Sequence, residues 1–558
     1  MTIRNIYTRL FIKGMITMGN HQLNIMHRNT VNARKRNEEL LFHILKTNAN
    51  SEYGKKMHFS DIHSVEDYRR NVPLSTFQDY EEYIKRMIDG GESNLITSLP
   101  LVGYAQSSGS VGARKLVPLT QPQVNIYVRY TVPKMLALAD RYHRQKYGKG
   151  LKPGRGMFTP PAFDDYLPNG MLCSNVADVA ARQLGFCYPY ILLNPFTKLF
   201  NASEADSKYM NFRLGLEDPN LMYMFSVFFM NFTDLIRYLE INWKTIVDDI
   251  ETGTISDLGM ASEETKKKLA GFLKPNPTRA AELRKEFEKG FDNTIIPRLW
   301  PNMSVMYGIG SASFWPFVKI CRGYTGDIPY DFSIYGASEG LFASTDYLNS
   351  LNQLLLVDSC YYEFIPTEDE SRILSLDELE VGKEYEIIIT SQAGLYRYRC
   401  GDVIKVVDYM NECPYILFSF RKGQLLNLTG EKTTEEHMAT VVHRLEKISG
   451  TRIPNWAVAS DYEAHPYSYI LLTETEDGTD LSGYAAEMTE ILKEANVRFA
   501  RFHMEHELGD LRILNQKPGT HERWKELCIS RGTSSNQYKP VHILDSDEKT
   551  AFFMNSLL

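Results

Sequence analysis

Several features that assign a chain to common protein classes are missing from this sequence. Its seven cysteines are scattered and form no CxxC pair, which favours free thiols in a reducing compartment over a disulfide framework. No long basic run occurs and the formal net charge is -7, whereas nucleic-acid binding rests on clustered Lys and Arg. We therefore expect a cytoplasmic protein with no nucleic-acid partner, and we leave its oligomeric state open.

No apolar run is long and uninterrupted enough to predict a membrane span. The most hydrophobic segment, 221–239, contains Asn231, Asp234 and Arg237, which favours a buried helix. Residues 7–18 are largely apolar but include two basic residues and no clear cleavage site, so we do not expect a signal peptide.

The composition that is present is ample for a packed globular protein. The 558 residues are 43% hydrophobic and 12% aromatic, and a chain of this length is expected to fold as two or more domains. Patterning predicts helices at 32–47, 120–142 and 222–252, and strands at 100–106, 303–307, 331–334 and 384–390. Pro122 suits a helix start, and Pro133 is expected to kink the helix. Strands that alternate with helices imply an α/β core.

A second, smaller domain is expected at the end of the chain. We place the large N-terminal domain at 1–424 and the small domain at 425–558. Thr433 and Glu436 predict a capping box that opens an amphipathic helix. A strand at 467–473 and a helix at 485–495 complete a predicted α+β domain of two helices on a sheet.

A hydroxyl-rich glycine loop at 107–115 could wrap phosphates. It reads Ser-Ser-Gly-Ser-Val-Gly-Ala-Arg-Lys, without the spacing of a Walker A motif. Its glycines permit close backbone approach, its amides and hydroxyls can donate to phosphate oxygens, and Lys115 can balance their charge. Taken alone, the stretch is better explained as a flexible Ser/Gly loop, because a single motif is weak evidence.

A second stretch, Tyr335-Gly336-Ala337-Ser338-Glu339-Gly340, follows a predicted strand. Tyr335 could stack on a purine and Ser338 could bond a phosphate. Glu339 could bind magnesium, a hard cation that favours carboxylate oxygen. Taken alone, this hexapeptide is better explained as a polar turn with a solvated glutamate.

A third stretch, 394–402, alternates two tyrosines with two arginines and ends in Gly401-Asp402. Along a strand, like residues in such a pattern share one face. A charged edge strand accounts for the alternation but not for the Gly-Asp pair that follows. An Asp in that place could hold two ribose hydroxyls.

These stretches, in this order, resemble the acyl acid amido synthetases first known as the auxin-responsive Gretchen Hagen family of plants, part of the adenylate-forming superfamily. The resemblance extends over 38–543 and is most specific at 361–366, 394–406, 431–435 and 532–540. We identify the chain as a bacterial-type member of this family. The resemblance implies an α/β fold with a large, multi-subdomain adenylate-forming N-terminal domain and a smaller, mobile α+β C-terminal domain.

The resemblance also implies roles for individual residues. Glu339 would hold magnesium, Tyr335 would pack on adenine and Asp402 would hold the ribose hydroxyls. Ser338, Lys432 and Lys539 would be catalytic, through contacts with the phosphates. The nucleotide-binding set would be Ser107, Ser108, Gly109, Ser110, Lys115, Gly310, Ser311, Tyr335, Gly336, Ala337, Ser338, Asp402 and Arg421, the last of which resembles the hinge arginine.

Two departures from the family pattern accompany these matches. The phosphate loop is one residue shorter, and Val111 stands where a hydroxyl residue is common. After Lys539 the chain reads Pro540-Val541-His542 instead of Thr-Pro-Arg.

The function that the resemblance implies is ATP-dependent and magnesium-dependent adenylation of a carboxylic acid, followed by acyl transfer to an amine such as an amino acid. The small domain would rotate between the two half-reactions, with 421–430 as its hinge. Two alternatives stay open: a ligase that makes acyl-CoA or carrier-protein thioesters, and a catalytically silent nucleotide-binding protein. Tyr127, Arg129 and Tyr130 either line the acyl pocket or make ordinary helix contacts. The acid and the acceptor are left undetermined.

Overall fold

The computed structural model of the chain divides into two compact units. The first contains residues 1–400 and 404–418, and the second contains 401–403 and 419–558. The structure describes residues 3–106, 115–159, 165–174, 176–183, 185–193, 204–256, 273–310, 314–422, 426, 428–429, 431–531, 533 and 538–558. The predicted domain boundary at 424/425 falls partly outside the described residues and stays a prediction.

The first unit is built on three sheets. The largest has seven strands, in the spatial order Cys360–Pro366, Glu384–Ser391, Tyr398–Met410, Cys413–Arg421, Gln353–Leu355, Gly340–Ser344 and Ile334–Ala337. A four-stranded sheet has the order Leu116–Thr120, Leu101–Gln106, Leu172–Ser174 and Asp165–Tyr166. The other four-stranded sheet is parallel throughout, with the order Gly156–Thr159, Tyr223–Phe228, Val305–Ile309 and Tyr330–Asp331.

Helices cover these sheets. In the described part of the first unit they are Ile3–Asn29, Ala33–Asn48, Glu52–Lys56, Val65–Asn71, Gln78–Asp89, Gln121–Tyr130, Val132–Tyr147, Val176–Arg182, Tyr188–Ile191, Glu204–Glu217, Phe229–Thr252, Pro277–Phe287, Ile295–Leu299 and Trp315–Thr325. One hydrophobic core underlies the two sheets that contain antiparallel strands, and a separate core joins the parallel sheet to its covering helices. In the second core Trp300 is fully buried, and its indole N–H donates to the Gly215 carbonyl oxygen over 2.8 Å.

Several predicted elements are confirmed. The strand predicted at 100–106 is observed at Leu101–Gln106, and that at 384–390 is observed at Glu384–Ser391. The helix predicted at 32–47 is observed at Ala33–Asn48. Pro122 lies in the first turn of its helix, where a missing N–H costs nothing.

Three other predictions of elements are wrong in part. The helix predicted at 222–252 begins only at Phe229, because Tyr223–Phe228 is a strand. The strand is flanked by parallel neighbours on both sides and is therefore largely apolar. The helix predicted at 120–142 is interrupted at Thr131, whose ψ is −111°, and Pro133 lies in the first turn of the second helix. The strand predicted at 331–334 is interrupted at Ser333, whose φ of 75° is incompatible with a strand.

The second unit contains a three-stranded sheet. Ser468–Glu474 is the central strand; Asn455–Asp461 pairs with it antiparallel and Arg512–Asn515 pairs with it parallel. The helices of the described part are Glu435–Ser449, Ala485–Ala495, Val497–Met504, Thr520–Ser530 and Asp547–Met554. The predicted α+β character is confirmed, whereas the prediction of two helices is wrong because three further helices join them.

The capping box is displaced by one residue from its predicted place. Thr434 is the N-cap and accepts from the His437 N–H, while the His437 side chain accepts in return from the Thr434 N–H. Thr433 is instead fully buried. The sequence pattern was ambiguous because two threonines stand side by side, each three residues before a side chain that can accept a hydrogen bond.

All seven cysteines are free, as predicted. In the described part of the chain, no helix combines the length and the apolar character that crossing a membrane requires.

Candidate functional site

The Ser338–Glu339 pair forms the two-residue turn of a hairpin in the first unit. Ala337 pairs with Gly340 across the antiparallel strands Ile334–Ala337 and Gly340–Ser344, so the hairpin register fixes Ser338 and Glu339 at its tip. Ser338 is half-buried, and its Oγ donates to the Gln106 carbonyl oxygen over 3.3 Å. Gln106 ends the strand that leads into the predicted phosphate loop. The turn therefore lies where that loop begins.

Two side chains of one helix hold the backbone of this turn. Gln123 Nε2 donates to the Ser338 carbonyl oxygen over 3.3 Å, and Tyr127 Oη donates to the Ala337 carbonyl oxygen over 2.5 Å. Residues four apart lie on the same face of a helix, so one face of the helix Gln121–Tyr130 binds the successive carbonyl oxygens of Ala337 and Ser338. Burial raises the pKa of Tyr127 well above its usual range, so the hydroxyl stays protonated and remains a donor.

Glu339 is a buried carboxylate in contact with a tyrosine of the neighbouring stretch. It is 6% exposed, and Tyr398 Oη donates to Glu339 Oε1 over 3.3 Å. Tyr398 opens the strand that continues to Gly401 and Asp402. Two of the motifs that were singled out in the sequence thus meet directly in the fold.

A single carboxylate fits the way in which magnesium is usually bound beside a nucleotide. Mg²⁺ keeps several waters and is held by one or two carboxylates together with substrate phosphates. No group of three or more His, Cys, Asp or Glu side chains that could hold a metal is found among the described residues. Glu339 is therefore suited to an ion that the phosphates also hold, and not to a cage of protein ligands.

Tyr335 lies near the turn and is largely buried. Its ring packs at an angle against Phe342 and Phe418, with centroid distances of 5.2 Å and 5.9 Å. Tyr335 is 8% exposed, so little of its surface is left for contact with a purine.

A buried ion pair fixes the backbone at the base of the hairpin, before the strand Ile334–Ala337 and after the strand Gly340–Ser344. Lys134 Nζ donates to Asp331 Oδ1 over 3.1 Å, to Thr345 Oγ1 over 3.0 Å and to the Ser333 carbonyl oxygen over 3.3 Å. Burial lowers the pKa of Lys134, an effect that the Asp331 carboxylate opposes. Since both side chains are 0% exposed, loss of either partner would leave an uncompensated buried charge.

Gly310 occupies a position with no room for a side chain. It directly follows the strand Val305–Ile309, and a Cβ atom there would lie 2.7 Å from both Phe332 and Val318. The glycine is therefore required by packing. Its neighbour Ser311 lies outside the described residues, as do Ser107, Ser108, Gly109 and Ser110.

Lys115 follows the predicted phosphate loop and is exposed. Its Nζ lies 5.5 Å from the centroid of the Phe77 ring, a distance typical of a cation–π contact. Its role toward phosphates stays a prediction.

The predicted alternation along 396–399 is wrong. Arg397 has a φ of 45°, which interrupts the strand, and the strand begins at Tyr398. Arg397 is buried against Glu363, with Nε–Oε2 at 2.8 Å, while Arg399 pairs with Glu386. The two arginines thus hold separate carboxylates instead of sharing a face.

In the second unit, Asp402 is paired with Arg421. Arg421 Nε donates to Asp402 Oδ1 over 2.7 Å, and Asp402 is 5% exposed. Gly401, immediately before, has a φ of 79° that favours glycine, and its carbonyl oxygen accepts from the Lys422 N–H over 2.7 Å. These contacts fix the orientation of the Asp402 carboxylate.

Lys539 belongs to the same electrostatic group. The residue is exposed, yet enough protein atoms surround its amine that desolvation, followed by the Arg421 charge, lowers the pKa of Lys539. Asp402 and Glu435 act in the opposite direction and favour the charged amine. Three predicted residues, Asp402, Arg421 and Lys539, are thus brought together within this unit.

His542, which departs from the family pattern, supports this group. His542 Nδ1 lies 2.6 Å from Glu435 Oε1, and its ring stacks on Trp456 with centroids 4.1 Å apart. Glu435 opens the helix that the Thr434 cap begins. The sequence offered Glu435 only as part of a family motif and gave no sign of its partner.

Sequence reasoning missed the residues that hold the site. Gln123 and Tyr398 were assigned no contact with the Ser338–Glu339 turn, and Tyr127 was considered only as a possible wall of the acyl pocket. The one available signal was the four-residue spacing of Gln123 and Tyr127 on a predicted helix, but 210 residues separate Tyr127 from Ala337. Only the fold reveals such a pairing.

The chain matches three family models in succession. These are the GH3 family N-terminal domain over residues 22–330, the GH3 family central domain over 353–421 and the GH3 family C-terminal domain over 436–548.

Similar proteins extend over almost the whole chain. Indole-3-acetic acid-amido synthetase GH3.8 of Oryza sativa subsp. indica is 28% identical, over 95% of this chain and 92% of its own. Jasmonoyl–L-amino acid synthetase GH3.5 of Oryza sativa subsp. japonica is 27% identical, over 93% of this chain and 94% of its own. The solved structure of GH3.15 acyl acid amido synthetase superposes with a TM-score of 0.81 at 22% identity, covering 96% of each chain.

These findings confirm the predicted fold class, while the mobility of the C-terminal domain stays a prediction. The two sequence relatives named above are from a plant, so the bacterial-type assignment also stays a prediction. Because the first family model alone matches more than half of the chain and the other two follow in order, the resemblance predicted from sequence is confirmed: the chain belongs to the GH3 family.

Proposed function

We propose that this chain is an ATP-dependent ligase that adenylates a carboxylic acid and transfers the acyl group to an amine, with an amino acid as the acceptor. The observation that carries the proposal is the Ser338–Glu339 turn, held by Gln123, Tyr127 and Tyr398 at the entrance to the glycine loop. The membership of the chain in the GH3 family supports it.

The chemistry explains why such a turn is needed. A carboxylate resists attack by an amine because oxide is a poor leaving group and the negative charge repels nucleophiles. In the first half-reaction a carboxylate oxygen bonds to the α-phosphorus of ATP and pyrophosphate leaves. In the second, the amine nitrogen bonds to the acyl carbon, AMP leaves and the amine loses a proton. Both steps depend on positioning and charge balance more than on covalent chemistry by the protein.

The proposed roles follow from the contacts of each residue. Ser338, at the hairpin tip, would donate to the α-phosphate, and the buried Glu339 carboxylate would hold Mg²⁺, which neutralises phosphate charge when bound. Asp402, whose carboxylate is oriented by Arg421, would accept hydrogen bonds from the ribose hydroxyls. Lys539 would balance charge that builds on the departing pyrophosphate.

The acceptor is proposed from the relatives. The two named sequence relatives are called an indole-3-acetic acid-amido synthetase and a jasmonoyl–L-amino acid synthetase, so amide formation is shared while the acid differs between them. This favours an amine over a thiol acceptor here.

The test is acid-dependent exchange between ATP and labelled pyrophosphate. Purified full-length protein is incubated with ATP, Mg²⁺ and each member of a panel of aromatic and aliphatic acids, including indole-3-acetic acid and jasmonic acid. Exchange with at least one acid, absent without acid, is expected. Binding of ATP with no exchange for any acid would favour the silent nucleotide-binding protein.

A further inference from the structure

A short loop in the second unit carries Lys432 between two buried ends. Leu426 and Thr433 face each other as an isolated bridge, with hydrogen bonds of 3.0 Å and 2.8 Å between their backbones. Leu426 is 2% exposed and Thr433 is 0% exposed. The bridge closes the loop at its base.

The Glu431 carboxylate holds the loop from inside. It is 0% exposed and accepts from the Leu428 N–H and the Thr429 N–H, each over 2.8 Å, and from the Tyr469 hydroxyl. A buried carboxylate is tolerated only when such donors replace water, and hydrogen bonds to a charged group are the strong ones. Glu431 therefore ties the loop to the central strand of the sheet, which contains Tyr469.

Asn496 holds the same loop from a second element. Its Nδ2 donates to the Glu431 carbonyl oxygen over 3.1 Å and to Thr433 Oγ1 over 3.0 Å. Its Oδ1 accepts from the Arg498 and Phe499 N–H groups and caps the helix Val497–Met504. Asn496 therefore binds the loop on both sides of Lys432 while it is fixed to this helix.

Lys432, between these two contacts, has an unfavourable left-handed backbone conformation. Its φ is 51°, in the left-handed region, which is unfavourable for an L-residue other than glycine. Lys432 is half-buried, whereas the residues on either side of it are 0% exposed. A strained backbone of this kind persists only where its surroundings over-determine it, and such sites cluster where geometry matters for function.

We propose that Glu431 and Asn496 are positioning residues that hold Lys432 in its left-handed conformation, and so aim its amine for the adenylation half-reaction. The proposal rests on the proposed function, within which Lys432 is the predicted contact of the α-phosphate. Glu431 and Asn496 touch no reacting atom in this account and act through Lys432.

A double-mutant cycle tests whether the action passes through Lys432. Glu431→Gln keeps the size of the side chain, but the amide NH₂ of glutamine cannot accept the hydrogen bond that one of the two backbone N–H groups donates to the carboxylate. The change should misplace Lys432 and slow acid-dependent exchange on the order of 10–10²-fold. In a Lys432→Ala background the same change should cost less than about twofold, since coupled residues are not additive. The matched control is Glu436→Gln, an exposed glutamate five residues along the chain, which should leave exchange unchanged.

Cleavage by trypsin after Lys432 gives a readout independent of activity. The fragment that ends at Lys432 should appear about tenfold faster in Glu431→Gln than in the parent, under conditions where both are folded, because cleavage follows the population of the opened loop. Glu436→Gln should match the parent. Asn496→Ala, which leaves the Glu431 carboxylate in place, serves as a second variant if Glu431→Gln does not fold.

The outcomes separate the two proposals. If the parent protein shows no ATP–pyrophosphate exchange with any acid, the proposed function is contradicted. The cleavage result still decides whether Glu431 and Asn496 hold the loop. Equal cleavage rates in the parent and the variants, or additive losses in the cycle, would overturn the positioning role.

Discussion

Arg421 Nε donates to Asp402 Oδ1 over 2.7 Å, so the arginine balances the charge of the buried aspartate and orients its carboxylate. A charge-assisted hydrogen bond of this kind holds one carboxylate oxygen along a fixed line. For a residue proposed to accept from two ribose hydroxyls, orientation and charge are the two properties required.

Asp402→Asn should therefore weaken the use of ATP. Each hydrogen bond to a charged group contributes roughly 1.5–3 kcal/mol, so KM for ATP is expected to rise at least about tenfold. The parent should also use 2′-deoxy-ATP less well than ATP. The matched control is Asp461→Asn, which removes the aspartate of another Asp–Arg pair in the same unit, with Arg512 at 2.6 Å. Equal KM values for the two nucleotides in the parent would contradict the ribose role.

Glu339→Gln should abolish most acid-dependent pyrophosphate exchange while the protein stays folded. A neutral amide is a poor magnesium ligand, and the hydrogen bond from Tyr398 would persist to the amide oxygen, so the local structure is retained. Titration with Mg²⁺ should show that a higher concentration is needed for the residual activity. Glu81→Gln, an exposed site in the same unit, is the control. Near-normal exchange in folded Glu339→Gln would remove the proposed magnesium role.

Lys539→Ala should separate the two half-reactions. Loss of a charge-stabilising donor is expected to slow adenylation on the order of 10²-fold. Acyl transfer from a supplied acyl-adenylate to the amine should stay near the parent rate, if Lys539 serves only the first step. Lys517→Ala, an exposed lysine of the same unit, should affect neither rate. Equal slowing of both steps would show that Lys539 supports the fold or a shared geometry.

His521 should make the stability of the protein sensitive to acid. Burial, with a smaller effect of His542, lowers the pKa of His521 to about 3, and the ring packs edge-on against Phe553. A histidine with a lowered pKa in the folded state contributes stability that is fully present above the ordinary value near 6.5 and is lost as the pH falls from there toward about 3. Between pH 7 and pH 5 the loss should be about 2 kcal/mol.

The check is the free energy of unfolding in denaturant at both pH values. His521→Phe fits among the neighbouring aromatics and should lose less stability on acidification than the parent does. His443→Phe, at an exposed position, should follow the parent. An identical dependence on pH in the parent and in His521→Phe would contradict the assignment.

Local patterns predicted the elements whose signals are local. The strands at 101–106 and 384–391 follow from short apolar or β-branched runs, and the helix at 33–48 follows from its periodicity. The strand Tyr223–Phe228 was missed because a parallel strand inside a sheet is largely apolar, and this one runs directly into the apolar helix that follows.

The candidate site divides in the same way. Ser338, Glu339 and Asp402 stand in short motifs, so sequence alone could select them. The residues that support the site could not be selected. Tyr127 contacts Ala337 beside the Ser338–Glu339 turn, and Asn496 contacts Glu431 beside Lys432, and both contacts join distant parts of the chain. The left-handed conformation of Lys432 was equally hidden, because lysine gives no local signal for a positive φ.

The most direct test of the account is product analysis in a complete reaction. The protein, ATP, Mg²⁺ and an acid that supports exchange are supplied with a mixture of amino acids in one sample and with coenzyme A in another, and products are measured by mass spectrometry. The account predicts an acyl–amino acid amide formed in equal amount with AMP, and no thioester. A thioester without amide, or AMP formed without either conjugate, would contradict it.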